Sequence, residues 1–278
     1  MKILGLIAAS ALTASAFAAQ AADIYQAPAG SLKDGPSYVP SAWAGWYAGV
    51  NGGYGFTSSQ SVDYYFTYIA PDPRAGQTIY VPSYDKLSQD GGFGGGQLGY
   101  NWQSGHLVFG AETDIQISGV SGSVIGAPSA GSWDTYSLAG NLDWFGTVRG
   151  RLGYAFGPAL IYGTAGLAYG KVESDITYAS LYPSKVGGKP AGFQATGNSH
   201  QENLETGYVV GGGIEYAISP KWTVKAEYQY IDLGSHTATT IDEYSQTVFL
   251  HAKVEDTYNT VRAGLNYHIG EVGYEPLK

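Results

Sequence analysis

The chain has no cysteine among its 278 residues. Disulfides, thiolate nucleophiles, iron–sulfur clusters and cysteine-type zinc sites are therefore excluded. Charge is scarce too: 13% of residues are Asp, Glu, Lys or Arg, with a formal balance of −9. A nucleic-acid partner calls for a clustered basic patch, which this composition does not supply. Beyond the N-terminal leader no apolar run is long enough for a membrane helix. One kind of membrane protein stays open, because barrel strands alternate their side chains and escape a hydropathy scan. What the chain has in abundance is glycine (41 residues) and tyrosine (24).

The opening MKILGLIAASALTASAFAAQAAD reads as a secretory signal peptide over 1–22. Lys2 supplies the positive start, residues 3–17 are mostly apolar, and Ala16-Phe17-Ala18 and Ala19-Gln20-Ala21 fit A-x-A cleavage patterns. Residues 23–44 are rich in Pro, Ala and Ser without a period, and form a periplasmic arm.

From there to residue 269 the pattern has period two. The strands fall at about 45–56, 92–103, 106–118, 143–156, 159–172, 206–218, 221–233 and 257–269, each near the roughly 9–11 residues that cross a bilayer at a tilt. Short turns alternate with long polar segments at 57–91, 119–142, 173–205 and 234–256. The fold class that follows is all-β: an eight-stranded antiparallel up-and-down transmembrane β-barrel over 45–269, with four long extracellular loops and short periplasmic turns. Residues 270–278 form a C-terminal tail. A secreted two-sheet sandwich is the alternative, but sandwiches carry evenly spaced turn signals rather than this short–long rhythm.

Alternation also sorts the charges. On 143–156, Trp144, Val148, Leu152, Tyr154 and Phe156 oppose Arg149 and Arg151. The same reasoning puts Glu112, Asp114, Glu215, Lys225, Glu227 and Arg262 opposite apolar faces. An Arg or Lys facing lipid near the midplane costs about 2–4 kcal/mol, so all eight are assigned to the lumen. An eight-stranded barrel is just wide enough for its side chains to fill, and acids and bases there must pair. Trp46, Trp102, Trp144 and Trp222, with Trp43, fall near strand ends, where an amphipathic ring occupies the headgroup level.

Gly94-Gly95-Gly96-Gln97-Leu98-Gly99 is a formal G-x-G-x-x-G. No helical period follows it, so the dinucleotide reading fails its context test. Read as strand, Gly95 and Gly99 face the lumen and leave room for bulky neighbours such as the arginines. There are five histidines: His106, His200, His236, His251 and His268. In the last long loop His236 and His251 stand near Asp242, Glu243, Glu255 and Asp256, and are the candidate ligands for a cation or haemin, although the spacing matches no compact metal motif. No G-x-S-x-G appears, and the chain reads as non-enzymatic and without a cofactor.

Taken together, the WxGWYxGxNxGYG stretch from Trp43 to Gly55, GGGQLGYNWQ, FGAETDIQ, VRGRLGYAF, YGTAGLAYG, GGIEYAISPKWTVKAEYQYIDLG and NTVRAGLNYHI carry a resemblance. Over 45–269 the chain resembles the small porin-like outer-membrane β-barrel proteins of alphaproteobacteria, relatives of the OmpA-type transmembrane barrel. The resemblance implies an integral protein of the Gram-negative outer membrane with periplasmic termini and four surface loops. It implies roles in envelope integrity and in contact with host or matrix molecules, with outer-membrane lipid and lipopolysaccharide as partners. Some members are described as porins and a subset binds haemin, so a small-solute porin and a surface haemin or metal binder are the alternatives to a structural barrel. Members usually finish on an aromatic residue of the last strand; here Tyr267-His268-Ile269 is followed by GEVGYEPLK.

Overall fold

Period-two alternation along most of the chain leaves each strand one apolar face to bury or to present to lipid, and the strands meet that demand by pairing in sequence order. A computed structural model describes residues 43–57, 60–81, 86–126, 134–186, 189–243 and 246–269. All lie in the unit Val39–Lys278; the first unit, Met1–Tyr38, lies outside them. The expected signal peptide, arm residues 23–42 and the tail 270–278 also lie outside the described residues.

The strands are β1 (Gly45–Phe56), β2 (Gln60–Ser61), β3 (Asp63–Tyr68), β4 (Thr78–Val81), β5 (Lys86–Leu87), β6 (Asp90–Ser104), β7 (Leu107–Gly126), β8 (Asp134–Phe156), β9 (Ala159–Val186), β10 (Lys189–Ala217), β11 (Trp222–Ile241) and β12 (Val248–Ile269). Eight of them form the wall in the order β1-β6-β7-β8-β9-β10-β11-β12, and β12 returns to β1. The seam runs antiparallel from Trp46 opposite Ile269 to Phe56 opposite Asn259. The ring is closed, so no strand edge is left bare at that level. At one end the connections are tight, and Gly105 (φ 59°) and Gly157 (φ 60°) supply the left-handed backbone of two turns.

The outward face carries an apolar belt that includes Val50, Leu98, Ile115, Val148, Leu167, Ile214 and Leu265. Trp46, Trp102 and Trp222 rim it at the short-turn end, and Trp144 packs edge-on to Tyr169 at the far rim. From Trp46 to Tyr54, at roughly 3.3 Å per residue and a tilt of about 40°, this face climbs roughly 20 Å, near the height of a membrane-spanning band. Trp43 departs from the expected girdle: it is 1% exposed, packed inside with Val108, Ala155, Leu160 and Tyr162. It precedes β1, so the alternation of that strand does not govern it, and its backbone N–H donates to Gln103 Oε1 at 3.1 Å.

The strands are much longer than the period had suggested. Segments 119–142, 173–205 and 234–256, read as loops, are largely continuations of β7 to β12. Beyond the belt the alternation reverses its polarity. On β9 Val172, Ile176 and Tyr178 turn inward and are buried, while Glu173, Asp175 and Thr177 face out. Register shifts at Ile117/Val120, Leu142/Trp144 and Asp232/Ser235 mark the changeover. A bulge adds a residue to one strand, so it can swap which positions face inward. On β11, odd positions such as Lys225 and Ile231 are buried below the shift, and even positions such as His236 and Ala238 above it. The first long segment, 57–91, lays β3 against upper β12, β4 against β3, and pairs β2 with β5.

Candidate functional site

Inward-facing positions stack in layers along the axis. Nearest the short turns is the apolar group around Trp43. Above it, Arg151 of β8 is ion-paired to Glu215 of β10 and lies with its guanidinium 3.7 Å over the ring of Tyr162. Thr223 and Asn266 donate to the other oxygen of Glu215, Asn266 at 2.8 Å.

The next layer gathers the remaining six ions. Arg149 contacts Glu112, Glu227 and, at 3.0 Å, Asp114. Arg262 reaches Glu227 at 2.8 Å, Asp114 at 3.0 Å and Glu112 at 3.5 Å. Lys225 lies 3.0 Å from Glu112 and 3.6 Å from Glu227. Tyr47 donates to Glu112 at 2.7 Å, Tyr162 to Glu227 at 2.8 Å and Thr147 to Asp114 at 2.9 Å. The structure thus brings all eight sequence-assigned charges together, four acids and four bases, every side chain buried. Charge-assisted, shared contacts of this kind satisfy several lone pairs at once.

Glycine makes room for the phenols. A Cβ on Gly99 would fall on the ring of Tyr47, and one on Gly213 would lie 2.8 Å from the hydroxyl of Tyr162. The space at Gly99 was expected to serve the arginines; it serves the tyrosine that holds Glu112. Gly95 in turn lies against Gln116.

Above the ions comes a second apolar group, including Phe93, Leu142, Phe145, Val209 and Ile231. A polar seam follows, beyond the far rim of the belt. His236 Nδ1 lies 2.5 Å from Asp256 Oδ2, and its Nε2 lies 2.6 Å from Ser174 Oγ. Burial alone would depress this imidazole, but the hydrogen bond and charge of Asp256, with Glu205 behind them, hold it above its usual value. A third apolar group, with Tyr64, Phe66, Leu138 and Ile176, closes over the seam.

His236 and His251 do not share a site. His251 points to the outer surface, its Nε2 and Nδ1 each 2.8 Å from the hydroxyl oxygens of Thr67 and Thr239. Among the described residues, the grouping that has the form of a metal cluster is one that sequence spacing had not singled out. Glu173, His200 and Glu202 hold ligand atoms within 4.8 Å of one another on the outer face of β9 and β10. Lys171 Nζ stands among these carboxylates, 2.7 Å from Glu173, 3.2 Å from Glu202 and 3.3 Å from Asp143, so the chain supplies its own cation there. The hydrogen bond to Asp175 raises the pKa of His200. Only the three-dimensional pairing of β9 with β10 brings these residues together, with Asp175 opposite His200 and Glu173 opposite Glu202.

The family model and the sequence relatives agree with this architecture. Residues 4–268 match the family model described as the outer membrane protein beta-barrel domain. The 31 kDa outer-membrane immunogenic protein of Brucella melitensis is 36% identical over 269 residues, which cover 94% of this chain and 98% of the relative. The 22 kDa outer membrane protein of Rhizobium leguminosarum bv. viciae is 38% identical over 146 residues, 52% of this chain and 54% of the relative. Among solved structures, the outer membrane protein OprG of Pseudomonas aeruginosa aligns with a TM-score of 0.44 at 12% identity, covering 81% of this chain and 97% of that one.

Proposed function

Because the chain belongs to the outer membrane β-barrel family, we propose that it serves there as a non-conducting, non-enzymatic structural barrel whose extracellular part makes the contacts. The observation that carries this reading is the charge-balanced ion layer set between two apolar groups. A solute would have to separate buried, mutually paired charges and then cross Phe93, Phe145 and Val209. Removing one partner of a buried pair typically costs about 3–5 kcal/mol, a large barrier for a passing ion to meet. The outward aromatic rims support taking outer-membrane lipid and lipopolysaccharide as its standing partners.

Ser174, His236 and Asp256 follow one another in the order of a hydrolase triad. Ser174 is 2% exposed, enclosed between apolar groups above and below, and a nucleophile must meet its substrate. We read the three as a structural polar seam. Planar-bilayer recording of the purified protein tests the proposal. The expected result is no stable large conductance; reproducible single-channel steps would overturn it and establish the small-solute porin.

A further inference from the structure

At the short-turn end the inner wall is built largely from small side chains. Inward positions there include Gly110 on β7, Gly153 and Ala155 on β8 and Ala217 on β10. An eight-stranded barrel is normally filled by the side chains of its own strands. Here the largest residue of the layer comes from outside the wall. Trp43 precedes Gly45, the residue at which the ladders of β1 begin. Gly45 takes φ 111°, a conformation that L side chains rarely adopt, and there the chain leaves the wall and hooks inward.

The indole reaches across the lumen to Val108, Ala155, Leu160 and Tyr162, on three strands with which β1 forms no ladder. Its edge meets His268 of β12, the ring centroids 6.4 Å apart and the planes at 75°. Its backbone N–H is held by Gln103 Oε1 rather than by a neighbouring strand. The polar atoms of this layer are poorly matched. His268 is 6% exposed, yet neither ring nitrogen has a hydrogen-bond partner among the described residues. The same holds for both amide atoms of Asn101. Buried groups of this kind are the ones that water satisfies wherever it gains entry. The next layer up is the Arg151–Glu215 pair.

We propose that Trp43 is a detachable stopper for the periplasmic mouth: a side chain supplied from before the first strand that shuts water out of the layer holding His268. It stands outside the ladders, so it can leave without unpairing a strand of the closed ring. Its departure opens a vestibule lined by Asn101, Gln103 and His268 and roofed by Arg151 and Glu215. The inference deepens the non-conducting reading and is separable from it, because the ion layer remains as a barrier when the stopper is out.

The test treats the full-length barrel in lipid nanodiscs with diethylpyrocarbonate and reads carbethoxylation of each histidine by peptide mass spectrometry. The nitrogens of His268 have no hydrogen bond to break, so its rate reports access alone. It should be slow in the unsubstituted protein, about tenfold or more faster in Trp43→Ala, and slow again in Trp43→Phe. Gly45→Ala should act like Trp43→Ala without touching the lumen, since its Cβ has room, with Ile269 O at 3.9 Å, but its backbone resists the hook. His236, enclosed between apolar groups at the other end, is the control and should not change while the folded gel mobility is kept. Fast labelling of His268 in the unsubstituted barrel would overturn the stopper. So would slow labelling in both Trp43→Ala and Gly45→Ala, or equal acceleration at His236, which would mean general loosening. Planar-bilayer recording of Trp43→Ala separates the two readings: single-channel steps there alone would uphold the stopper and overturn the ion layer as the barrier.

Discussion

The Arg151–Glu215 pair offers the cleanest test of whether the barrel interior is dry. Both side chains are 1% exposed, and Glu215 is the only ion-pair partner of Arg151 among the described residues. Arg151→Met would leave the Glu215 carboxylate with donors from Thr223 and Asn266 but no cation within pairing distance, and would strip the Tyr162 ring of its guanidinium. An uncompensated charge in such a site costs about 3–5 kcal/mol, because the desolvation already suffered is no longer offset. That is about two to three and a half orders of magnitude in the folded-to-unfolded ratio, at about 1.4 kcal/mol per tenfold. Adding Glu215→Gln removes the stranded charge while keeping an acceptor for Thr223 and Asn266. The double variant should therefore recover about 2 kcal/mol or more of the loss, a coupling far above the few tenths seen for independent sites. Urea unfolding in phospholipid vesicles, followed by tryptophan fluorescence and by gel mobility of the folded band, measures Arg151→Met, Glu215→Gln and the double variant against the unsubstituted protein. If Arg151→Met cost less than about 1 kcal/mol, the charge would be screened as surface pairs are, by water in the lumen. The argument for a non-conducting interior would then fail with it.

The other consequences are simpler to state. Gly99→Trp should block barrel assembly, seen as loss of the heat-modifiable band, and Gly99→Ala should assemble but lose stability by about 1–3 kcal/mol as Tyr47 is pushed off Glu112; normal stability of the alanine variant would refute the close packing. Trp43 should resist quenching both by aqueous acrylamide and by brominated lipid chains, whereas Trp46, Trp102 and Trp222 should be quenched by the lipid; single-tryptophan variants measure each. The raised pKa of His236 means its contribution to stability is fully present below its unfolded value near 6.5 and is lost as pH rises through the higher folded value. Hydrogen exchange in upper β11 and β12, corrected for its intrinsic pH dependence, should therefore quicken as the pH rises above the unfolded value, and His236→Asn should flatten that change. The buried Ser174 should remain unlabelled by a fluorophosphonate probe; labelling abolished by His236→Ala would make the seam catalytic.

Much of this architecture can be read from one fact about solvent: lipid penalises charge, so within the membrane a period-two strand must turn its charges inward. That is why Glu112 and Asp114, Arg149 and Arg151, and Lys225 and Glu227 could be placed in the lumen from spacing alone. Glu112 and Arg149 lie on neighbouring strands, β7 and β8, but these are joined through the long 119–142 segment, so chain order gives their adjacency and not their register. The contacts of Arg149 with Glu227 and of Arg262 with Asp114 cross the barrel, and depend on how far each strand is staggered against the next. Stagger is set by closure of the whole ring and leaves no local trace in the sequence. The Ser174–His236–Asp256 seam and the Lys171 cluster were hidden for the same reason, since each joins residues from two or three strands.

The strand lengths were hidden by something different, and it locates the membrane boundary. Inside the bilayer an alternating strand is apolar outside and polar inside; above it water takes the outer face, and the same strand must be polar outside and apolar inside, as in a soluble protein. A stretch such as Lys171 to Tyr178 keeps its period of two through this change, but its apolar members now belong to the opposite face. Scored against one fixed orientation, it reads as an irregular polar loop. The bulges at Leu142/Trp144 and Asp232/Ser235 add to the confusion by shifting the phase. They lie at the level of Trp144 and Tyr169, the far aromatic rim. Two independent signs, the girdle outside and the reversal of polarity inside, therefore mark the same height. The position where a barrel strand exchanges its apolar face is thus a boundary marker in its own right, one that remains usable where the aromatic signal is blurred by tyrosines such as Tyr65 and Tyr80 that stand beyond the membrane.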